Sequence, residues 1–364
     1  MKIKCLKDDI LGGLQTVQSI VGGRGTLPIL SNVLLEARDG EIVLTTTDLE
    51  MGMRRRIKAK VAKEGAITLP AKRLLAILRE LPVADVVMET SDHKEATIRY
   101  DSSYVRILGL PKDEFPPLPD FRKNRSLKIP QKALSEMIRK VHYAISHDES
   151  RYVLNGMHLI FAKGRITAVA TDGRRLALCE VAAGVPEGVD KGIIVPTKAV
   201  LELGRVVGGD GDLEIFLGEN QAAFNKEDCS LVTRLIEGHF PNYQQVIPHQ
   251  LEHKLMLSRE ELLSAVRRAA LLTSEQLNSV KIALAKNRLV VSSNTPDVGE
   301  AREEMAISYA GADVAIAFNP HYLIDVLKNL DEQEITFEFT DALNPGVVRS
   351  GKSFLYVIMP IRLS

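Results

Sequence analysis

Ile67-Thr68-Leu69-Pro70-Ala71-Lys72-Arg73-Leu74-Leu75 reads as a short strand, a proline, and the opening of an amphipathic helix. The pattern returns as Ile193-Ile194-Val195-Pro196-Thr197-Lys198-Ala199-Val200-Leu201, and again as Ile316-Ala317-Phe318-Asn319-Pro320-His321-Tyr322-Leu323-Ile324. Proline suits a helix start, where its missing N–H costs nothing and its φ is already helical. The three prolines are 126 and 124 residues apart. Asp48, Asp172 and Asp297 repeat at intervals of 124 and 125, and Phe115-Pro116 returns as Phe240-Pro241 after 125. Solenoid units are far shorter, about 20–50 residues. The chain is therefore one domain written three times, with expected limits at residues 1–120, 126–247 and 250–364.

The 364 residues allow two or three domains, each large enough for its own core. Apolar residues make up 45% and charged residues 26%, as in ordinary globular chains. No stretch approaches the roughly 18 apolar residues of a membrane span, and Met1-Lys2-Ile3-Lys4-Cys5-Leu6-Lys7 lacks a signal peptide's apolar core. Cys5, Cys179 and Cys229 have no metal-ligand spacing, which suggests a reducing, cytoplasmic setting. Lys and Arg total 47, as do Asp and Glu. A zero net charge argues against gripping nucleic acid by bulk electrostatics, but leaves local basic faces open.

Each third opens with a strand and a helix. Ile10, Leu14, Val17 and Ile20 fall at helical spacing, as do Leu134, Ile138, Val141 and Ile145, then Leu262, Val266 and Ala270. Extended runs follow at Val33–Ala37, Ile42–Thr46 and Arg54–Val61 in the first third. Those of the second are Met157–Phe161, Ile166–Ala170 and Ala177–Val181, with Leu213–Leu217, Ala222–Phe224 and Leu231–Leu235 after the proline-started helix. The fold class is α+β, each third built from two strand–helix–three-strand motifs. Basic residues recur on the helices: Lys72, Arg73 and Arg79; Lys132, Arg139 and Lys140; Lys198 and Arg205; Arg267 and Arg268; Lys328. One reading is solvated helix faces; the other is a positive surface for a diffuse anionic polymer.

A search for chemistry finds no Gly-x-x-x-x-Gly-Lys-Ser/Thr loop, no Gly-x-Ser-x-Gly elbow and no His-Glu-x-x-His helix. Gly22-Gly23-Arg24-Gly25 lacks the Lys-Ser/Thr that holds phosphate and Mg²⁺, and reads as a turn. Asp172-Gly173-Arg174-Arg175 sits between alternating runs and reads as a polar hairpin turn. A non-catalytic scaffold, with no cofactor and no metal, fits better than an enzyme.

The runs Thr26-Leu27-Pro28-Ile29-Leu30-Ser31-Asn32, Thr47-Asp48-Leu49-Glu50-Met51, Arg151-Tyr152-Val153-Leu154-Asn155-Gly156, Ala170-Thr171-Asp172-Gly173-Arg174-Arg175-Leu176 and Tyr356-Val357-Ile358-Met359-Pro360-Ile361-Arg362-Leu363 resemble the bacterial DNA polymerase III beta subunit family, the sliding clamps. The resemblance spans all three thirds in order. It implies the DNA clamp fold: a head-to-tail homodimer of six similar domains encircling duplex DNA, with twelve helices lining the hole. It implies a processivity factor that tethers the replicative polymerase alpha subunit, is opened by a clamp loader, and serves repair polymerases, DNA ligase and mismatch-repair proteins, with no membrane partner.

Carried over by motif, the family's partner-peptide pocket falls on Leu154, Thr171, Gly173, Arg174, Arg175, Leu176, Pro241 and Val246, then on Tyr322, Leu343, Pro345, Val357, Met359, Pro360, Ile361 and Arg362. Apolar members would take a peptide's Leu and Phe anchors, while Arg174, Arg175 and Arg362 would supply donors at the rim. DNA contacts fall on Arg24, Lys72, Asp148, Tyr152 and Val153. The dimer interface falls on Arg73, Val105, Ile107, Leu271, Leu272, Glu300 and Glu303, with the strand through Val105 and Ile107 extending a sheet of the other copy. Arg174 stands where the family often has His, Gln245 where a basic residue is common, and Ser364 extends past the usual end. Rival readings are a small-molecule enzyme around Asp172 and Arg175, and a monomeric peptide-binding scaffold.

Overall fold

Period-two alternation and helical spacing both translate directly into elements. The structure, a computed structural model, describes residues 1–22, 27–82, 84–91, 94–121, 126–185, 189–274, 278–296 and 298–362. Arg24, Asp297 and Ser364 lie outside the described residues. In the first third the order is β1 (Lys2–Leu6), α1 (Lys7–Gln18), β2 (Asn32–Arg38), β3 (Glu41–Thr47), β4 (Met51–Lys58) and β5 (Lys60–Lys63). It continues with β6 (Gly65–Pro70), α2 (Ala71–Glu80), β7 (Asp85–Ser91), β8 (Glu95–Tyr100) and β9 (Ser103–Leu108). The second third runs β10 (Ser126–Pro130), α3 (Gln131–Val141), β11 (Gly156–Ala162), β12 (Arg165–Thr171) and β13 (Arg175–Ala182). Then come β14 (Asp190–Pro196), α4 (Thr197–Val206), β15 (Asp212–Leu217), β16 (Gln221–Lys226) and β17 (Cys229–Arg234). The last third runs β18 (His253–Ser258), α5 (Arg259–Ala270), β19 (Val280–Ala285), β20 (Arg288–Thr295) and β21 (Gly299–Ala306). It closes with β22 (Val314–Phe318), α6 (Pro320–Lys328), β23 (Glu334–Phe339), β24 (Gly346–Ser350) and β25 (Phe354–Ile358). Among the described residues the strand–helix–three-strand motif thus occurs six times.

The helices bury apolar stripes: Ile10, Leu14 and Val17 on α1, Leu74, Leu75 and Leu78 on α2, Leu262 and Val266 on α5, where Ala269 is buried and the expected Ala270 only half-buried. Pro320 occupies the first turn of α6, whereas Pro70 ends its strand and caps α2. The expected run Arg54–Val61 divides in two. Ala59 donates its N–H to the Gly40 carbonyl at 2.9 Å and turns the chain. As a result β4 pairs with β3 while β5 pairs with β1 in a different sheet.

Two compact units result, and they do not follow the thirds. One, residues 1–131 and 205–235, holds a five-stranded sheet β5-β1-β7-β8-β9 and an eight-stranded sheet β10-β15-β16-β17-β4-β3-β2-β6. The other, residues 132–204 and 236–364, holds an eight-stranded sheet β14-β11-β12-β13-β25-β24-β23-β18 and a four-stranded sheet β21-β20-β19-β22. Each eight-stranded sheet joins strands of the second third to strands of a neighbour, through β17–β4 (Leu231 opposite Met53) and β13–β25 (Leu176 opposite Val357). At the first seam the Leu118 side chain packs closely on Gly52: a Cβ there would lie 2.3 Å from it, so Leu118 would have to move.

Three cations close on the end of α6. Its last carbonyls have no helical partners and carry the negative end of the helix dipole. Arg259 donates to the Glu332 carbonyl at 2.9 Å and to that of Leu327 at 3.0 Å. Arg139 donates to the Asn329 carbonyl at 2.6 Å and pairs with Asp331. Lys140, 1% exposed, pairs with Glu136 at 2.7 Å and Glu332 at 3.3 Å. Burial favours the neutral form of Glu332, yet Lys140 helps hold its carboxyl down to about 2. Arg139 and Lys140 therefore bind protein, which corrects the expectation that they form a solvated basic helix face.

Candidate functional site

Several residues expected in the partner pocket lie on one face of the second unit's eight-stranded sheet. In β12–β13 Thr171 lies opposite Leu176 and Val169 opposite Leu178, so these four share a face. Leu176 in turn lies opposite Val357, and Val357 opposite Val347. Val169, Leu176, Val347, Leu355 and Val357 form a buried apolar cluster there. Phe240, Tyr243, Ile247 and Leu251, from the segment after the last β-strand of the second third, pack against it partly buried. Of the apolar residues expected in the pocket, Val246, Met359, Leu343 and Ile361 are exposed. Val169, Val347 and Leu355, and the covering Phe240 and Tyr243, were not singled out from sequence as site residues; alternation counted from Thr171, Pro345 and Val357 finds the first three.

The β12–β13 turn is held from within. Asp172 Oδ1 accepts the N–H groups of Arg174 at 2.9 Å and Arg175 at 3.0 Å, while Gly173 takes the left-handed φ of 85°. Thr171 Oγ1 accepts from the Gly173 N–H at 3.0 Å and donates to the Arg175 carbonyl at 2.6 Å. Leu343 and Pro345 lie just before β24, where Asp341 Oδ1 accepts the Leu343 N–H at 2.8 Å. Ile361 donates its N–H to the Ala317 carbonyl at 2.8 Å, which ties Pro360 to Arg362 alongside β22. Leu154 is buried, and Pro241 is exposed in the covering segment.

Arg175 is not a rim donor. One residue beyond Arg174, it points to the helix side of the sheet, as the strand period demands. Its Nε meets Asp172 at 3.0 Å and its Nη1 meets Asp325 of α6 at 2.6 Å, while Nη2 donates to the Tyr143 carbonyl. The guanidinium lies 4.3 Å from the Tyr322 ring centroid and 5.7 Å from that of Tyr143. Burial opposes its charge, but Tyr356, Asp325 and Asp172 outweigh that and hold it more basic than usual. Tyr322 is placed on that side too, its carbonyl accepting from Tyr356 Oη at 3.0 Å. Both residues lie on the side of the sheet away from Leu176 and Val357.

Of the expected DNA contacts, Asp148, Tyr152 and Val153 share one 3₁₀ segment of the second unit, and Lys72 belongs to the first. Lys72 is exposed on the first turn of α2, beside exposed Arg73. Asp148 caps the 3₁₀ segment Glu149–Leu154, accepting from Ser150 N–H at 3.0 Å and Ser150 Oγ at 2.7 Å. Those bonds hold its carboxyl below the usual range. Asp148 thus caps this segment, and an ionised carboxylate repels phosphate. Tyr152 is exposed and Val153 half-buried. The cation at this place is Arg151, passed over in the sequence, 3.7 Å from Asp148 and 3.5 Å from the Asp172 carbonyl.

Four of the expected interface residues lie on edge strands, while Arg73 is on α2 and Leu271 and Leu272 follow α5. Strand β9 ends the five-stranded sheet, with Ile107 buried, Val105 half-buried, and Tyr104 and Leu108 exposed. Strand β21 ends the four-stranded sheet and carries exposed Glu300, and Glu303 bound to Arg268 at 2.5 Å. Leu271, after α5, is 79% exposed, and Leu272 is half-buried.

Comparison with known proteins accounts for the whole chain. Residues 1–119 match the DNA polymerase III beta subunit N-terminal domain, 128–242 its central domain and 244–362 its C-terminal domain. The beta sliding clamp of Chlamydia pneumoniae is 35% identical over 363 residues, covering 100% of this chain and 99% of the relative. That of Escherichia coli (strain K12) is 34% identical over 369 residues, covering 100% of both. The crystal structure of the DNA polymerase sliding clamp from Bacillus subtilis superposes with a TM-score of 0.96 at 28% identity, with 100% of each chain covered. A DnaN sliding clamp from Pseudomonas aeruginosa, bound to griselimycin, does so at 0.95 and 32%, again over 100% of each chain. With its three-domain fold, the chain belongs to the DNA polymerase III beta subunit family, the beta sliding clamps: it is a replication processivity factor, an accessory subunit rather than a catalytic enzyme.

Proposed function

We propose that two copies of this chain close head-to-tail into a ring around duplex DNA, and that the ring tethers DNA polymerases through the apolar pocket. The observation that carries this reading is a pair of complementary unpaired edges. Strand β9 has exposed Tyr104 and Leu108, with Arg106 on the same strand and Arg99 on the next. Strand β21 presents exposed Glu300 and Glu304, near exposed Leu271. Unpaired strands with apolar flanks are templates for another chain. A chain with one edge of each kind makes a heterologous contact, which closes when the rotation permits. Leu272, Arg73 and Glu303 support that contact. Exposed Lys72, Arg79, Lys132, Arg267 and Lys328 on the helices would face the duplex, with Arg151. Domains at 1–120, 126–247 and 250–364 give six per ring.

The partners would be the replicative polymerase alpha subunit, a clamp loader, repair polymerases, DNA ligase and mismatch-repair proteins, in the cytoplasm. Each would dock a short peptide whose apolar anchor covers Leu176, Val357 and Met359. A neutral ring holds DNA by topology, so it should bind free linear duplex weakly and with a shallow salt dependence, since that slope tracks phosphates neutralised. Loaded onto nicked circular DNA by a clamp loader and ATP, it should stay bound at roughly physiological salt and leave once the circle is cut. Equal lifetimes on linear and circular DNA would replace encirclement with gripping, and light scattering that gives a monomer would remove the ring.

A further inference from the structure

The repeat gives the first unit a counterpart of the sheet face that carries Leu176 and Val357, with different chemistry. Positions 124 or 125 residues apart correspond. Where the second unit sets Leu178 opposite Leu355, the first sets Arg54 opposite Ser230. Where it sets Val169 opposite Leu178, the first sets Thr45 opposite Arg54. Gly52 and Val232 stand for Leu176 and Val357, and the chain's own Leu118 packs on Gly52. Beside Leu118 lies an open groove of about 800 Å³, lined by residues from β15 across to β2. Its two ends differ in charge. Glu214 is paired with Lys128, Asp228 with Arg55 and Glu36 with Lys112, and Arg54 and Asp120 have partners of their own. Arg56 and Lys226 donate to the main-chain carbonyls of Glu227 and Val206. Three exposed lining residues are left without an ion pair among the described residues: Asp212 and Glu227 at the β15–β16 end, and Arg38 on β2.

We propose that this groove is a docking surface for an extended segment of a partner protein that is basic at one end, acidic at the other, and lacks an apolar anchor. Charge complementarity selects that occupant. A basic side chain meets Asp212 and Glu227, and a carboxylate meets the Arg38 guanidinium, whose planar fork suits it. An apolar anchor finds its place at Gly52 already taken by Leu118. From β15 to β2 the sheet order takes five steps, which at about 4.8 Å each span about 24 Å. An extended chain rising about 3.3 Å per residue covers that distance with about seven residues. Because the two ends differ in sign, the segment can lie in one direction only.

The test is equilibrium binding of short fluorescent peptides to the full protein. All share one composition of Lys, Glu and Ser. One places its Lys residues first and its Glu residues last, one reverses that order, and one alternates the charges. One of the two segregated peptides should bind about 3- to 10-fold more tightly than the alternating one, and the gap should shrink with added salt. Arg38→Gln should narrow the preference. Arg38→Glu combined with Asp212→Lys and Glu227→Lys should transfer it to the opposite order. All three side chains are exposed, so thermal melts of the variants should match the native protein. The proposal is overturned if neither segregated peptide binds better than the alternating one, or if the preference is untouched by Arg38→Gln. An unlabelled peptide with a Leu-Phe anchor checks the place: if it displaces the preferred peptide, binding is in the second unit's pocket and the groove is not a docking surface.

Discussion

Two neighbouring arginines differ in what they do because they differ in what they touch. Arg175 neutralises two carboxylates, donates to a backbone carbonyl and stacks between tyrosines. Arg175→Ala leaves Asp172 and Asp325 without their cation, and we expect a loss of roughly 3 kcal/mol in denaturant unfolding. Arg175→Lys should recover only part of it, since an ammonium cannot fork. Arg174→Ala should change stability by less than about 0.5 kcal/mol. The motif Asp172-Gly173-Arg174-Arg175 was legible as a turn, but which arginine faces which side depends on the residue at which β13 begins, and turn length hides that. His158 makes a second residue-scale prediction. It lies opposite Val169 and stacks on Phe240 with ring centroids 4.7 Å apart, and its Nδ1 has no hydrogen-bond partner. Burial pushes its pKa down from 6.5 to about 4. Between those values the unfolded chain binds the extra proton, so stability should fall as pH drops from 6.5 towards 4. Thermal melts of His158→Phe should show a flatter decline over that window; an unchanged decline would clear His158 of the effect.

Among elements, α6 is the one most evidently held by charge at its end. Lys140 is buried against Glu332, whose carboxyl is held down to about 2 from 4.5. A depressed carboxylate contributes stability above its unfolded pKa and loses it as pH falls through the folded one. Lys140→Met should therefore cost about 1–3 kcal/mol at neutral pH, and its deficit relative to the native protein should narrow between pH 4.5 and 2. Chemical denaturation at neutral and acid pH reads this directly; a deficit of constant size across the window would exclude the pair. Most elements were legible beforehand, because the apolar stripes of α1, α2 and α5 and the alternation of β11 to β13 are local patterns. The break at Ala59 was not. No Gly or Pro marks the corner between β4 and β5, and the bond that turns the chain comes from Gly40, on the β2–β3 hairpin. The pairing of distant charges such as Lys140 and Glu332, 192 residues apart, likewise leaves no trace in either neighbourhood.

For the whole molecule, the threefold text of the sequence and the twofold division of the structure are both real. The repeat records six copies of one motif, while hydrogen bonding fuses the two halves of the middle third to different neighbours. The seams at β17–β4 and β13–β25 make the middle third a poor autonomous folder. Cut out as residues 126–247, it would expose both seam strands, with Leu231 and Leu176 among their side chains, and should self-associate. In the intact chain, slow amide exchange should group the protected protons of β17 with those of β4, and those of β13 with those of β25. Three separate protection levels matching the three thirds would contradict this. The duplication that is so plain in the text is thus hidden in the thermodynamics: what was copied as three was welded into two, and no third can be deleted, swapped or evolved without tearing a sheet that belongs partly to its neighbour.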